Sequence, residues 1–512
     1  MDRIKHTGPK LWTNLHESVI SMTSDLITSG NARVGTILEK YNETAEDIAL
    51  LLSETLHSQK KIRPCGGKWS ITPVAFEKTA IIETDHLNLR WTPASSETNP
   101  TFIQDPKNLL FAQCGAKIKS LSIYLRDRKK SLKASGASNG QTIAGAISCG
   151  THGSAIDFGS IHDSVVGLNI IVNKNKNYYI QRASRPIMNE TFAASIQAKL
   201  INDDDLFNAA VVSMGCFGFI HGVMLETEDW FMLKNYTKNI TLQDAELLMN
   251  TLQFDAVNLP TGAESGQRPY HFKLLINPFN PTKNPKAEIL YKKPGPDKYI
   301  RPALNDESTY PKDALGFIAK ITQNIPGSDR LTINLLESSI FPKDIDGAEA
   351  LLYDTFSDTS LHGKTFACAI GIPLDKTHQT LTSLLKLIDN HGSIPAIFAL
   401  RFIKKSNALM AFSRFEHTCV FEIDGVRNQN MSDYIKKIPA ILRQNNIPFT
   451  FHWGKDNPAD QAMIAEMYGA SLTLWINQKS KIMNSPEAAM FSNDYTDHLG
   501  LDDWTPEYEE YV

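Results

Sequence analysis

Apolar and polar positions alternate in several registers along the chain. Over the first 35 residues apolar side chains recur at Leu15, Val19, Ile20 and Leu26, a spacing that predicts helix. Thr44 to Gln59 reads as an amphipathic helix with Thr44 as N-cap and Asp47 completing a partial capping box. Short apolar runs bounded by turn residues predict strands at Lys61–Cys65, Ala80–Glu83, Leu109–Gln113, Val165–Val172 and Val211–Met214. Near residue 235 the pattern changes. Longer strands are expected at His271–Ile276, Ile397–Ile403 and Cys419–Ile423, with a helix at Thr380–Asp389 and Pro-, Gly- and Lys-rich loops between them. The last 60 residues turn helical again. Short strands alternating with helices imply an α+β or α/β lobe, and the long strands imply an inserted lobe with an antiparallel sheet. No internal repeat is present.

Composition narrows the class. A chain of 512 residues exceeds one ordinary core. Its 52 basic and 56 acidic residues leave a formal charge of −4, which removes the basic excess expected of a nucleic-acid binder. The N-terminus shows no apolar signal segment, and the six cysteines are scattered without CxxC pairing, so reduced thiols and a cytoplasmic location are expected. Neither a metal site nor a transmembrane segment is expected. Ala209 to Leu225 carries no formal charge over 17 positions, but its glycines and His221 favour a buried strand and turn.

Three glycine-rich segments carry the candidate chemistry. Gly140 to Gly153, GQTIAGAISCGTHG, concentrates glycine among small residues, which lets backbone approach a ligand or a neighbouring strand closely. It matches neither GxGxxG nor GxxxxGK[ST]. Arg63-Pro64-Cys65-Gly66-Gly67-Lys68-Trp69-Ser70 ends a strand in a turn suited to a diphosphate, with backbone N–H groups and Lys68 as donors. Gly215 to Ile220 closes a third apolar run.

These segments, in this order and followed by Phe451-His452-Trp453-Gly454-Lys455, resemble the vanillyl-alcohol-oxidase-type flavoproteins. Within that family they are most similar to the branch of the aldonolactone oxidases, alditol oxidase and flavin-linked cholesterol oxidases. The resemblance covers roughly residues 30–235 and 395–500. It implies an α+β fold: a bipartite FAD-binding domain of two α+β subdomains (1–235, with a C-terminal return over 451–512) and an inserted cap (236–450) on an antiparallel sheet flanked by helices. It further implies that FAD is held by Arg63, Pro64, Cys65, Gly66, Gly67, Lys68, Trp69 and Ser70 at the diphosphate. Gln141, Thr142, Gly145, Ala146, Ser148, Cys149, Gly150, Thr151, His152 and Gly153 would run along the flavin, and Gly218 and Ile220 would lie near the adenine. Members that attach FAD covalently through this loop carry histidine where this chain has Trp69, so non-covalent FAD is expected.

The same resemblance points the lysine of HWGK, Lys455, toward flavin and substrate. A cation ~4 Å away at an effective dielectric of ~20 contributes ~4 kcal/mol, or very roughly 90 mV for a two-electron couple. The family's cap strand often carries Glu-x-Arg. Here the stretch is Ala399-Leu400-Arg401, so the arginine is present and the carboxylate is not. Arg401 is a candidate substrate anchor, and His417, near Arg414, Glu416 and Glu422, a candidate base; His271 is a second histidine on a cap strand. Phe398, Phe402, Phe412, Phe415 and Phe421 favour a bulky or apolar alcohol. The expected activity is FAD-dependent hydride removal from an alcohol-bearing small molecule to flavin N5, with oxygen or another acceptor reoxidising the flavin. Two alternatives stay open: flavin-dependent oxidative cyclisation, desaturation or amine oxidation, supported by the absent Glu, and a non-catalytic flavin-binding protein.

Overall fold

The computed structural model describes residues 3–259, 267–301, 333, 341–356 and 365–502. Three sheets organise the fold. A four-stranded sheet runs in the order Ile4–His6, Asp25–Gly30, Ala80–His86, Arg63–Cys65. A six-stranded sheet runs Lys199–Asn202, Lys176–Gln181, Val165–Asn173, Phe219–Glu226, Leu109–Gln113, Arg90–Trp91. The third, of ten strands, is antiparallel along its length.

The N-terminal helix expected from Leu15, Val19, Ile20 and Leu26 is absent: residues 3–30 form strands, including a hairpin of Lys10–Thr13 with Ile20–Thr23. Four apolar positions at uneven spacing imitate a helix face, but Ile20, Thr23, Ile27 and Thr28 are β-branched and suit a pleated surface. The first long helix is Ile37–His57, capped by Thr36 in a full capping box with Glu39. Thr44 lies inside it and returns its hydroxyl to the Lys40 carbonyl (2.8 Å). Residues 211–214 are not a strand either. They end the helix Asp204–Val211, whose first turn is capped by Asp203, and the strand starts at Phe219. That strand, Phe219–Glu226, is buried throughout, flanked by Val165–Asn173 and Leu109–Gln113. The predicted strands at Leu109–Gln113 and His271–Ile276 have the expected bounds.

The strand Phe231–Asn239 spans residue 235 and pairs with Lys286–Pro294 and Ile345–Leu351, so the large sheet begins ahead of the composition change. At its other edge Thr450–Phe451 pairs with Thr365–Pro373. From there the chain returns to the N-terminal half: Trp475 donates to the Ala209 carbonyl (3.0 Å), and Asn493 donates to the carbonyls of Pro73, Val74 and Phe76. The glycine-rich segment is tied to the large sheet through His152–Ala155, where Ala155 pairs with His271. All six cysteines are buried free thiols. Among the described residues no helix is long and apolar enough to cross a membrane.

Candidate active site

A cavity of about 400 Å³ lies where the three sheets meet. Of the twenty residues expected to hold a cofactor, all but Ala146, Gly150 and Gly153 line it. Ala146 is buried inside the short helix Ile143–Ser148. Gly150 and Gly153 serve packing: a Cβ on Gly153 would stand 2.1 Å from the Ser135 carbonyl, and Gly150 adopts φ +77° against Phe412.

The two main glycine segments are built against each other. A Cβ on Gly66 would lie 1.9 Å from Thr142 Oγ1, and one on Gly140 would lie 2.4 Å from the Trp69 ring. Gly66 is thus closely packed and on the cavity wall, while Gly140 is packed against Trp69 outside the lining. Beyond Gly66 the turn passes through Lys68 at φ +60°. The backbone N–H groups of Gly67, Lys68, Trp69 and Ser70 make no backbone hydrogen bond among the described residues. Such a run of free N–H groups has the donors that an anion requires.

The side-chain cations expected there are otherwise engaged. Lys68 pairs with Glu83 at 2.6 Å. Arg63, 1 % exposed, donates to the carbonyls of Val74, Met214 and Phe491. Arg63 thus clamps the start of the Gly66-Gly67 turn to two distant segments. Trp69, where the resemblance implies histidine in members with covalently attached FAD, lines the cavity, and an indole forms no such bond. The other reactive group, the Cys149 thiol, is held protonated by burial, with Ser70 Oγ 3.7 Å from its sulfur. Gln141 lines the cavity with its buried Oε1 lacking any hydrogen-bond partner. Free N–H donors at one end and an orphaned acceptor along the wall fit a long cofactor with phosphate and amide groups.

The opposite wall is one face of the ten-stranded sheet. Its register sets Ala399 across from Glu422, Ile397 across from Asp424 and Arg401 across from Val420. Directly opposed residues of an antiparallel pair share a face, so Arg401, Glu422 and Asp424 all point to the cavity, and all three line it. The carboxylate missing at Ala399 is therefore supplied by the neighbouring strand. Glu422 Oε2 is 2.6 Å from Arg401 Nε, and Glu422 Oε1 accepts a hydrogen bond from Lys455 Nζ. Burial works against ionising Glu422, but Arg401, Lys455 and His152 overcome it and hold the carboxyl well below its ordinary range. Burial likewise opposes the charge on Lys455, which Glu422 and Asp424 more than restore, so its pKa is raised. Asp424 is pushed up to about 6, by burial first and by Glu422, against the pull of Lys455.

Two histidines complete this end. Burial drives His152 down to about 3, and its Nδ1 faces the Gly153 carbonyl at 3.1 Å, so it is a neutral Nδ1–H tautomer. His452 is also depressed by burial, and its Nδ1 accepts from the Gly454 N–H (3.0 Å). Phe412 lies 5.1 Å from both rings.

Several expectations need correction. His417 does not reach the cavity. It stands at the start of its strand, 3.8 Å from Asp157, five residues from Glu422 and hence on the other face. His271 sits 2.8 Å from Glu288, outside the lining. Arg414 donates to the Met467 carbonyl. None of Phe398, Phe402, Phe412, Phe415 and Phe421 lines the cavity; Phe398 and Phe421 pack together in the core and Phe402 stacks on Phe272. They give no support to a bulky apolar substrate. Sequence reasoning noted Glu422 only as a nearby polar residue and missed Asp424, because both depend on strand register. The HWGK histidine, His452, and the N-terminal Trp12 and His16 also line the cavity unforeseen.

No family model matches the chain. L-gulono-1,4-lactone dehydrogenase of Mycobacterium tuberculosis is 19 % identical over 464 residues, covering 88 % of this chain and 92 % of that protein. L-gulonolactone oxidase 3 of Arabidopsis thaliana is 31 % identical over 157 residues, 30 % of this chain and 25 % of that protein. Among solved structures, cholesterol oxidase of Brevibacterium sterolicum superposes with a TM-score of 0.70 at 15 % identity, covering 97 % of each chain.

Proposed function

We propose, for a chain that is a FAD-dependent oxidoreductase of the vanillyl-alcohol-oxidase type with aldonolactone oxidases and dehydrogenases among its homologues, that its substrate is a polar, hydroxylated small molecule oxidised at a CH–OH group. The observation that carries this reading is the Arg401–Glu422–Lys455 chain on the cavity wall facing the glycine turns. FAD, when bound, supplies the two-electron acceptor for the substrate hydride.

In this reading the N–H groups of Gly67 to Ser70 and the Gln141 side chain hold the cofactor. Residues up to the strand Phe231–Asn239, with the C-terminal return, form a two-part FAD-binding unit, and the ten-stranded sheet carries the cap. Arg401 and Lys455 place positive charge where hydroxyl oxygens and a developing anion gain from it. Glu422 neutralises one of these two charges, so the influence of Lys455 on the flavin potential falls below the ~90 mV of an unpaired cation. Buried hydroxyls need partners, each unpaired one costing about 1–3 kcal/mol. Arg401 and Asp424 meet that need better than a wall of phenylalanines would. The reading based on cyclisation or amine oxidation loses its main support, since the carboxylate is present after all.

The test begins with the visible spectrum of the purified protein, before and after acid precipitation. A flavin spectrum that moves to the supernatant, followed by anaerobic bleaching with a polyol, sugar acid or lactone, is the expected result. A yellow pellet would overturn non-covalent attachment. Flavin that no hydroxylated compound bleaches would favour a binding protein without turnover.

A further inference from the structure

We infer that Asp424 is the catalytic residue that takes the hydroxyl proton of the substrate. The inference rests on the oxidoreductase reading above and adds the identity of its base. Among the described residues, Glu422 and Asp424 are the carboxylates on the cavity wall. Glu422 is 3 % exposed, with one oxygen bonded to Lys455 and the other paired with Arg401. Asp424 differs in each respect. Its side chain is 32 % exposed, and its ion-pair partner Lys455 Nζ stands 3.9 Å from Oδ1, beyond hydrogen-bonding distance. No described donor bonds it. Across the two neighbouring strands stand Ile397 and Ala367, which offer no side-chain donor, and Pro395 and Gly425 leave room beside it.

The charged and titratable groups around Asp424 come from every element packed on it. Glu422 lies on its own strand, Arg401 on Ala396–Lys404, Lys273 on His271–Ile276, the Cys368 thiol on Thr365–Pro373, and Lys455 beyond Thr450–Phe451. Asp456, next to Lys455, is turned to Arg427 (2.6 Å). Burial and Glu422 lift the Asp424 carboxyl to about 6, so it is ionised at neutral pH and basic enough to accept a proton. The competing groups are poorly placed. His152 is neutral, depressed and enclosed by Phe412 and His452, and Lys455 keeps its proton.

In the step, the substrate O–H bond breaks and its proton passes to an Asp424 oxygen. The O–H electron pair becomes the second C–O bond while the C–H pair leaves as hydride to FAD. The alcohol carbon is oxidised by two electrons and FAD is reduced by two. The proton on Asp424 leaves to water entering the cavity.

The test compares wild-type, Asp424→Asn and Asp424→Glu holoenzymes, using the hydroxylated compound that bleaches the wild-type flavin. Wild-type kcat/KM is expected to fall tenfold per pH unit below about pH 6. Asp424→Asn is expected to keep its flavin spectrum, lose roughly 100-fold or more in kcat/KM, and lose the acid limb. Asp424→Glu should keep a limb. Carboxyl-region difference infrared spectroscopy of the oxidised holoenzyme without substrate should show a group titrating near pH 6 that Asp424→Asn lacks. An Asn variant with the wild-type rate and acid limb overturns the assignment to Asp424 and leaves the oxidoreductase reading standing. A wild-type holoenzyme that no hydroxylated compound reduces overturns both.

Discussion

Glu422 shows how one buried carboxylate organises a wall. Its two oxygens hold Arg401 and Lys455, and the three side chains are 3 %, 12 % and 21 % exposed, so the pairing operates where water screens it little. Replacing Glu422 by Gln removes the carboxylate that both cations share and leaves Asp424, 3.9 Å from Lys455, as the remaining carboxylate on the wall among the described residues. Breaking such a pair costs about 3–5 kcal/mol. We expect Glu422→Gln to lower the urea midpoint accordingly, and an unchanged midpoint would mean that the pair is loosely held in solution. Of this cluster the sequence revealed Arg401 and Lys455 through their motifs. Glu422 stayed hidden because its role depends on which residue of the next strand it faces, and Ala399 alone suggested a loss.

At the scale of elements, the joint between the glycine-rich segment and the large sheet is the strand His152–Ala155. Ser154 donates to the Phe272 carbonyl and accepts from the Phe402 N–H (3.0 Å), linking two strands of the large sheet to the segment that lines the cavity. Ser154→Ala leaves the buried Phe402 N–H without that acceptor, at a cost of about 1–3 kcal/mol. We expect lower stability by that amount, with faster amide exchange at Phe402; protection equal to the wild type would place the joint elsewhere. The element bounds that the sequence predicted well, Leu109–Gln113 and His271–Ile276, are short apolar runs with clear ends. The N-terminal strands were misread because their apolar positions are few and their pairing partners, such as Ala80–His86, are distant in the chain.

At the scale of the molecule, the cavity draws its lining from all three sheets: Cys65 from the four-stranded one, Ile220 from the six-stranded one, and Glu422 from the ten-stranded one. A ligand in that position couples them. FAD at a hundredfold excess over its Kd therefore adds about 2.7 kcal/mol to the stability of the native state. We expect protein stripped of flavin to unfold at a lower temperature, and added FAD, but not riboflavin at equal concentration, to restore the midpoint. The contrast isolates the adenosine-diphosphate part of FAD, which in the proposed reading meets the free N–H groups of Gly67 to Ser70. Equal rescue by riboflavin would show that the adenosine-diphosphate part, and with it this turn, contributes nothing to binding.

That the glycine segments, Trp69 and the HWGK lysine belong to one site was legible in the sequence because each stands in a local motif, and all of them line the cavity. They sufficed to indicate a flavin site and a hydride-transfer class of reaction. Which carboxylate completes the wall, which histidines stay away from it and which face the phenylalanines cover were decided by tertiary structure. In an antiparallel sheet a shift of one residue moves every side chain to the other face. The pairing of Ala399 with Glu422 and Ile397 with Asp424 is thus a property of the folded sheet, and no single strand contains it.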